Sequence, residues 1–327
     1  MPPASRVEGR SGPRVSVVVP VRDRRDLLGV LLDALDAQTF RDFEVVVVDD
    51  GSTDGSGDLA EARGAMVVRR AGGGAVAARA AGVAVARGTI LAFTDSDCVP
   101  APTWLEAGVR AIDGGADVVQ GHTRPTRKRG ILERSLFVDD DGLYETCNVF
   151  YRRSAFDAAG GFDAAAAGRL GFRAGARAQG LGFGEDTLLG WRVRRASGRA
   201  AYAPDAVVTH EVLPFDPADH LSRTLQAAAF PALVREVPEL REAFLSWRWF
   251  LGRTRPPLWA ALAALLLRRR ALAAALLVVW LGRLWRSTAS EPVLRRRLKA
   301  YPVVVATDVV TAGALAVGSA RARALVL

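Results

Sequence analysis

Cysteine and histidine are scarce in this chain of 327 residues, which contains two cysteines and three histidines. Cys98 and Cys147 cannot form a disulfide framework, and the first 14 residues lack the apolar core of a signal peptide. The 32 glycines and 16 prolines follow no repeat, which excludes fibrous and solenoid architectures. Half of the residues are hydrophobic, enough to bury a core. We expect one or two globular domains in the cytoplasm, with reduced thiols and a disordered tail over residues 1–13.

The positive charge of the chain is concentrated near its C-terminus. The formal net charge is +9, but residues from 241 onward contain 15 Arg or Lys and three acidic residues, which leaves the first 240 residues at −3. The same segment contains three apolar runs, Pro257–Leu267, Ala271–Gly282 and Pro302–Val317. Basic residues beside apolar runs favour a membrane surface over nucleic acid as the partner.

None of these apolar runs reaches the roughly 20 residues that a helix needs to cross a bilayer. The triplet Arg268–Arg270 separates the first two runs, and Asp308 interrupts the third. We therefore expect residues 238–327 to form a basic and apolar helical extension with an interfacial hairpin, peripheral at the inner face of the cell membrane. The alternative is that these segments pack on the rest of the chain as ordinary amphipathic helices.

The first 120 residues alternate between strand and helix patterns. Short, almost continuous apolar runs predict strands buried on both faces of a parallel sheet, at Val15–Val19, Phe43–Val48, Ala65–Val68, Thr89–Thr94 and Asp117–Gln120. Helical patterns lie between them, with leucines at Leu27, Leu28, Leu31, Leu32 and Leu35 and an alanine-rich stretch at Ala75–Arg87. We predict an α/β fold over residues 14–237, a mostly parallel central sheet flanked by helices.

The middle of the chain is less regular, and four segments of it have clear patterns. They predict strands at Thr146–Tyr151 and Ala200–Glu211, a turn at Gly160–Asp163 and a helix at Glu185–Arg195. Ligands of open α/β sheets bind beyond the carboxyl ends of the strands. Residues directly after each strand are therefore the candidate site.

Acidic residues follow two of the predicted strands. The segment Asp49–Asp54 reads Asp-Asp-Gly-Ser-Thr-Asp, which could hydrogen-bond a base or a ribose, or could form an ordinary turn and helix cap. Asp95-Ser96-Asp97 follows the fourth strand, and in an extended segment both carboxylates would face one ligand. Two carboxylates with phosphate oxygens make a site for Mg²⁺ or Mn²⁺, and without a cation the pair would only repel itself.

Two further candidates lie later in the chain. Glu185 and Asp186 follow Gly184 where a helix begins, so a carboxylate there could act as a general base or could cap the helix. His210 follows the apolar run Ala206–Thr209 and could complete a metal site or be an ordinary core histidine.

Gly72, Gly74 and Ala77 fit the dinucleotide-binding pattern G-x-G-x-x-A and precede a helical stretch. That fingerprint belongs to the first strand–helix turn of its fold, whereas two strand–helix units precede it here. An oxidoreductase that binds a nicotinamide dinucleotide is therefore a minor alternative.

Taken in order, these motifs are similar to those of the family 2 glycosyltransferases, inverting enzymes with the GT-A fold that use nucleotide-diphosphate sugars. The resemblance covers about Arg14 to Glu211. It rests on Val15–Pro20, Gln38–Phe40, Phe43–Asp54, Ala78–Gly82, Asp95–Asp97, Gly160–Asp163 and Gly184–Asp186.

The resemblance implies roles for individual residues. The donor-binding set would be Pro20, Val21, Asp23, Asp49, Asp50, Arg79, Asp95 and Ser96, with Asp49 and Asp50 at the base and Arg79 near the phosphates. Asp97, with Asp95 and His210, would bind Mn²⁺ or Mg²⁺. Asp186 would be the general base, supported on the acceptor side by Glu185 and Asp163. The donor would be a nucleotide-diphosphate sugar, with uridine favoured, and the acceptor a lipid-linked or cell-envelope glycan.

Some positions depart from the family pattern. Ala80 stands where the family has Asn after Arg, and Arg22 stands where it has an aromatic residue, so these base contacts would differ. No Gln-x-x-Arg-Trp motif follows Asp186, which argues for a single transfer rather than processive polymer synthesis. Two further alternatives remain. A catalytically inactive scaffold protein is disfavoured because Asp95, Asp97 and Asp186 are all present. A nucleotidyltransferase is disfavoured because no Gly-rich phosphate loop follows the first strand.

Overall fold

The computed structural model describes residues 12–163, 184–214 and 216–327. These residues form two compact units. The first unit contains 12–123, Tyr144–Phe162 and Arg192–Thr209, and the second contains Arg124–Leu143, the described part of 163–191 and the chain from His210 to Leu327. Most of the predicted N-terminal tail, residues 1–11, lies outside the described residues.

An eight-stranded sheet forms the centre of the first unit. Its strands are β1 (Val15–Val21), β2 (Phe43–Asp49), β3 (Met66–Arg69), β4 (Ile90–Thr94), β5 (Cys98–Pro100), β6 (Val118–Pro125), β8 (Asn148–Arg152) and β9 (Ala200–His210). Their order across the sheet is β3-β2-β1-β4-β8-β6-β9-β5. All seven predicted strands are present, with ends shifted by a few residues, and the α/β prediction is confirmed.

The sheet is mixed. Strands β1 to β4 are parallel to one another, as predicted, but β8 runs antiparallel to both β4 and β6. The connection from β6 to β8, residues 126–147, contains no helix among its described elements, so β8 does not enter by the helical crossover that parallel strands require. The sequence pattern of residues 146–151 does not indicate whether this strand is parallel or antiparallel.

Helices cover the sheet and follow the predicted periodicity. In the first unit they are α1 (Arg25–Asp36), α2 (Ser56–Ala62), α3 (Ala75–Val85), α4 (Trp104–Asp113) and α5 (Arg153–Ala158). Helix α6 (Glu185–Ser197) begins in the second unit and ends in the first. Leu28, Leu31, Leu32 and Leu35 of α1 are buried, because residues three or four apart share one face of a helix.

Helix α4 packs against β8 at a position that only glycine can occupy. A β-carbon at Gly108 would lie 2.4 Å from ring carbons of Phe150, whose ring also contacts that of Trp104 at a centroid distance of 4.9 Å. Trp104 Nε1 donates a hydrogen bond of 2.8 Å to Asn148 Oδ1, which fixes this corner of the core. Any larger side chain at residue 108 must displace one of these rings.

We expect Gly108→Ala to lower the free energy of unfolding by about 1–3 kcal/mol, the usual cost of overpacking a close-packed core. The matched control is Gly313→Ala, a helical position where a β-carbon would meet no atom within 4 Å. There the higher helix propensity of alanine should leave stability unchanged or raise it by up to about 1 kcal/mol. Chemical denaturation of both variants gives the comparison, and equal midpoints would contradict the packing described here.

The second unit is mainly helical. It contains the two-stranded antiparallel sheet of β7 (Glu133–Arg134) and β10 (Leu213–Pro214). Its helices are α7 (Pro217–Gln226), α8 (Phe230–Glu236), α9 (Leu240–Ala243), α10 (Pro256–Leu266), α11 (Arg270–Ser287) and α12 (Leu294–Ala322). The predicted hairpin is present as α10 and α11, which turn at Arg268 and Arg269.

The C-terminal helices are longer than the apolar runs from which they were predicted. Residues Arg270–Ser290 and Leu294–Ala322 are long and apolar enough to cross a membrane, by length and composition alone. Asp308, which interrupts the third apolar run, is buried: its Oδ2 accepts a hydrogen bond of 2.9 Å from Trp280 Nε1, and its Oδ1 lies 3.1 Å from Arg255 Nη2. Asp308 therefore interrupts the apolar run of the sequence but lies inside the continuous helix α12.

Candidate active site

The carboxyl ends of β1 and β2 lie side by side in the first unit. Val21 is opposite Asp49 in the parallel register, and the Asp50 amide donates a hydrogen bond of 2.9 Å to the Val21 carbonyl. Pro20 is opposite Val48, one step earlier. The strand register therefore brings the predicted donor residues of β1 and β2 to one edge of the sheet.

Three aspartates shape the loops at this edge. Asp49 Oδ1 accepts a hydrogen bond of 2.8 Å from the Ser52 amide, and Asp23 Oδ1 accepts one of 2.7 Å from the Thr53 amide. Asp54 accepts from Ser56 through its amide and its hydroxyl, and the hydroxyl contact is the largest influence that lowers the pKa of the Asp54 carboxyl. Asp49 and Asp54 thus form the turn and helix start that the sequence left open as an alternative.

Asp50 differs from these aspartates because one of its oxygens is buried without a hydrogen bond. Its Oδ2 accepts a hydrogen bond of 2.7 Å from the Gly74 amide, while Oδ1 accepts none from any residue that the structure describes. The nearest cation to Oδ1 is Arg70 Nε, at 3.6 Å. The Asp50 side chain is only 5% exposed. An unsatisfied carboxylate oxygen at this depth can accept a hydrogen bond from a ligand.

The glycines of the dinucleotide-like pattern have a packing role. Gly51 has a φ of +86°, and a β-carbon there would lie 3.3 Å from the Gly72 nitrogen. Gly72 and Gly74 follow β3, the edge strand of the sheet, and the Gly74 amide at the start of α3 is already bonded to Asp50. The glycine pattern therefore does not lie at the first strand–helix turn of the fold. The amide of Gly74, directly before α3, donates its hydrogen bond to the Asp50 carboxylate.

Asp95, Ser96 and Asp97 form a turn between β4 and β5, not the extended segment that was predicted. The Cys98 amide donates a hydrogen bond of 3.0 Å to the Asp95 carbonyl, which closes the turn. Arg79 of α3 donates a hydrogen bond of 2.7 Å from Nη2 to Asp95 Oδ1. The argument that the acidic pair needs a bound cation therefore does not hold for Asp95, because an arginine that is only 7% exposed already balances it.

The residues around this turn suit a divalent cation bound by oxygen atoms. Asp95 remains 26% exposed beyond its contact with Arg79. Burial strongly raises the pKa of the neighbouring Cys98 thiol, and the negative charges of Asp95 and Asp97 raise it further. Carboxylate oxygens are the ligands that Mg²⁺ and Mn²⁺ prefer, and Asp95 and Asp97 offer them at this turn.

The second unit contains the predicted general base and histidine. Asp186 lies in the first turn of α6, where its Oδ1 accepts a hydrogen bond of 2.8 Å from the Thr187 amide. Thr187 Oγ1 donates 2.8 Å to the Leu143 carbonyl, which fixes the start of the helix. Glu185 is buried, and Asp163 is the last described residue before residues 164–183.

His210, at the end of β9, is 5% exposed, and its Nδ1 lies 2.8 Å from the Glu211 carbonyl oxygen. A carbonyl only accepts hydrogen bonds, so the proton is assigned to Nδ1 and the lone pair to Nε2. This is the tautomer in which metal-binding histidines are commonly held, with the other ring nitrogen bonded to a backbone carbonyl. The sequence could not reveal this contact.

The predicted site residues divide between the two units. The first unit contains Pro20, Val21, Asp23, Asp49, Asp50, Arg79, Asp95, Ser96 and Asp97, and the second contains Asp163, Glu185, Asp186 and His210. Arg70 and the Gly74 amide, which contact Asp50, were not predicted. Arg70 directly follows β3, so a search beyond every strand end would have found it.

Part of the sequence matches a known family model. Residues 16–159 match the model for glycosyl transferase family 2. This segment is therefore similar to the family 2 glycosyltransferases. Over 170 residues the chain is 31% identical to glycosyltransferase AglE of Haloferax volcanii, covering 46% of this chain and 56% of that protein. Over 90 residues it is 39% identical to the uncharacterized glycosyltransferase EpsJ of Bacillus subtilis, covering 26% of each chain. The matched regions thus span between a quarter and just over half of these relatives.

Solved structures of glycosyltransferases share the fold of this chain. The mannosyltransferase PcManGT from Pyrobaculum calidifontis, in complex with GDP-Man and Mn²⁺, matches with a TM-score of 0.55 and 20% identity, over 92% of this chain and 87% of that one. Residues 1–349 of S. aureus TarS, in complex with UDP-GlcNAc, match with a TM-score of 0.51 and 18% identity, over 94% and 91% of the two chains. The predicted GT-A fold is confirmed.

Proposed function

We propose that this chain is an inverting glycosyltransferase that moves one sugar from a nucleotide-diphosphate sugar to an acceptor hydroxyl. The observation that carries the proposal is the pair of the buried Arg79 with the partly exposed Asp95, beside Asp97 and directly beyond β4, in the segment that matches family 2. The complex of the similar PcManGT contains a nucleotide sugar and Mn²⁺, which supports the same class of ligands here.

The donor nucleotide would bind at the carboxyl ends of β1, β2 and β4. Asp50 Oδ1, buried without a hydrogen bond from the described residues, would accept one from the base, with Pro20 and Val21 beside it. Arg79 holds Asp95 in place and adds positive charge close to where a diphosphate would lie. Uridine is the favoured nucleoside, since the N3–H of its base is a donor suited to a carboxylate.

Asp97, with Asp95 and His210, would hold Mn²⁺ or Mg²⁺. The cation would supply positive charge that stabilises the nucleoside diphosphate as it leaves. The imidazole tautomer with its lone pair on Nε2 supports His210 as the nitrogen ligand. The carboxylates supply the oxygen ligands.

Asp186 would act as the general base. Its carboxylate takes the proton from the acceptor hydroxyl while that oxygen attacks the anomeric carbon from the face opposite the diphosphate. The new carbon–oxygen bond forms as the bond to the diphosphate oxygen breaks, which inverts the anomeric configuration. Glu185 and Asp163 would support the acceptor side. The absence of a Gln-x-x-Arg-Trp motif after Asp186 favours a single transfer.

The acceptor would be a lipid-linked or cell-envelope glycan at the inner face of the membrane. The support is the basic and apolar C-terminal segment, in which Leu266 and Leu267 at the hairpin turn are 85% and 74% exposed beside Arg268–Arg270. Leucines that remain in water beside arginines are typical of interfacial helices. A peripheral, cytoplasmic position follows from this proposal.

The assay that tests the proposed activity is release of the nucleoside diphosphate from a set of nucleotide sugars, with Mn²⁺ and with EDTA, in the presence of membrane lipid extract. Release that depends on the metal and on the extract is the expected result. Release from none of the donors, by protein that is folded, would argue for the inactive scaffold.

We expect Asp50→Asn to weaken donor binding by about tenfold or more, because hydrogen bonds to a charged group contribute about 1.5–3 kcal/mol. The amide oxygen of asparagine can still accept from the Gly74 amide, so the loop should stay in place. The matched control is Asp58→Asn, at an exposed surface ion pair with Arg69. Calorimetric titration with the donor measures both, and an unchanged affinity in Asp50→Asn would remove Asp50 from the base site.

A further inference from the structure

A cavity of about 700 Å³ lies within the second unit, next to the first residue of α10. Three arginines line it, Arg253, Arg283 and Arg286, together with Ser246, Thr254 and the ring of Trp247. No acidic side chain is among its lining residues. The cavity therefore combines three positive charges with two hydroxyl groups.

These arginines lack the counter-charges that neighbouring arginines have. Among the residues that the structure describes, no carboxylate forms an ion pair with Arg253, Arg283 or Arg286, whereas Arg255 pairs with Asp308 at 3.1 Å. Arg283 Nη1 donates a hydrogen bond of 3.1 Å to the Arg253 carbonyl, which holds two of the three together. Basic residues are favoured near the C-terminus of any helix, which explains Arg283 and Arg286 at the end of α11. It does not explain Arg253, which lies outside that helix. Guanidinium groups clustered in this way match a phosphate group.

The loop that carries Trp247 is strained. Trp247 and Arg248 both have positive φ, 51° and 67°, a conformation that costs about 1–2 kcal/mol for each residue with a β-carbon. Backbone hydrogen bonds between Ser246 and Phe250, at 2.9 and 3.0 Å, close the loop. The strain places an indole that is 69% exposed at the wall of the cavity. Indoles in such positions are enriched at the level of lipid headgroups.

Apolar helix surface begins at the same place. Pro256 of the cavity wall is the first residue of α10, and Arg283 and Arg286 lie near the end of α11. Both helices leave large apolar side chains more than 40% exposed: Leu262, Leu265, Leu266, Leu272, Val278 and Val279. A ligand that is anionic at one end and apolar along the rest would match both features.

We propose that this cavity binds the phosphate group of a lipid, whose chains lie along the apolar faces of α10 and α11. The guanidinium groups of Arg253, Arg283 and Arg286 would hold the phosphate, and Trp247 would lie at headgroup level. This proposal rests on the membrane contact that is part of the proposed function, and it adds the chemical class of the lipid. It does not depend on which nucleotide sugar the chain binds.

The test is calorimetric titration of the full chain with dihexanoyl phosphatidic acid, a short-chain lipid that carries a phosphate monoester. The probes for comparison are dihexanoylglycerol, which lacks the phosphate, and inorganic phosphate and glycerol 3-phosphate, which lack the chains. We expect the phosphatidic acid to bind at least tenfold more tightly than any of the three. Inorganic phosphate that binds as tightly as the lipid would overturn the lipid assignment, and no binding of the phosphatidic acid would overturn the site.

The variant with Arg253→Gln and Arg286→Gln removes two exposed charges from the cavity wall. Its control, Arg295→Gln with Arg296→Gln, removes two exposed charges from the first turn of α12. We expect at least tenfold weaker lipid binding in the first variant and less than twofold in the control. Equal losses in both would mean general attraction to a basic segment and would overturn the cavity.

Donor binding by the same variants separates this proposal from the proposed function. Thermal shift with nucleotide sugar and Mn²⁺ should be the same as in the wild-type chain, and it also reports that the variants are folded. Failure of donor binding in every form, with lipid binding intact, would count against the glycosyltransferase proposal alone. Failure of lipid binding with donor binding intact would count against the cavity alone.

Discussion

Replacing Asp186 by asparagine is expected to lower the rate of sugar transfer by about 1,000-fold, within the range that a positioned general base contributes. Asparagine cannot take a proton from the acceptor hydroxyl. Its side-chain oxygen can still accept the hydrogen bond from the Thr187 amide, so helix α6 should begin at the same residue. Donor affinity should stay within twofold of the wild type, because the proposed donor residues of β1, β2 and β4 lie elsewhere in the chain.

Single-turnover transfer and donor titration of Asp186→Asn measure the two quantities separately. Asp186→Ala is the companion variant, since it also removes the acceptor of the Thr187 amide and should lose about 1 kcal/mol of stability. A transfer rate within tenfold of the wild type in the asparagine variant would exclude Asp186 as the base. The buried Glu185 would then be the next candidate.

Replacing Asp97 by alanine is expected to weaken Mn²⁺-dependent donor binding by about 100-fold, since each carboxylate is a large share of the charge that holds a hard cation. Transfer should fall at least as much, because charge on the leaving diphosphate would lose its stabilisation. Of the proposed ligands, Asp95 and His210 would remain, and one oxygen of Asp95 is already bonded to Arg79.

Asp157→Ala is the control for this variant. Asp157 is an exposed aspartate that pairs with Arg153, whose amide bonds to the Thr89 carbonyl just before β4 begins. Asp157 therefore lies near the start of β4, whereas Asp97 follows the end of that strand. Donor titrations with and without Mn²⁺ should show a metal effect in the control and none in Asp97→Ala. An undiminished metal effect in Asp97→Ala would place the cation elsewhere.

The sequence alone predicted the first unit well where the pattern is local and repetitive. Strands β1, β2 and β4 are continuous apolar runs and α1 carries leucines at helical spacing, so their positions follow from burial. Strand β3 was also predicted to be buried on both faces, but it is an edge strand in which no residue is fully buried. The register then brings Val21 and Asp49 together, as the rule for carboxyl ends of parallel strands requires.

Features that depend on contacts distant in the chain could not be predicted. The Arg79–Asp95 pair joins residues 16 positions apart. The His210 tautomer depends on a contact with the neighbouring Glu211 carbonyl, which is set by the backbone conformation and not by the residue types. The turn at Asp95–Cys98 was taken for extended chain because nothing in Asp-Ser-Asp distinguishes the two. The apolar run Pro302–Val317 is shorter than α12, and the pairing of Asp308 with Trp280 and Arg255 could not be read from the sequence.

The most direct test of the central claim is thermal-shift binding of a set of nucleotide-diphosphate sugars and a nicotinamide dinucleotide, each with and without Mn²⁺. A ligand that binds only the folded state raises the unfolding temperature, and the shift grows with the logarithm of the ligand concentration divided by its Kd. We expect stabilisation by at least one nucleotide-diphosphate sugar that requires Mn²⁺ and none by the dinucleotide. No response to any sugar donor, with stabilisation by the dinucleotide, would contradict the account and favour the pattern at Gly72, Gly74 and Ala77.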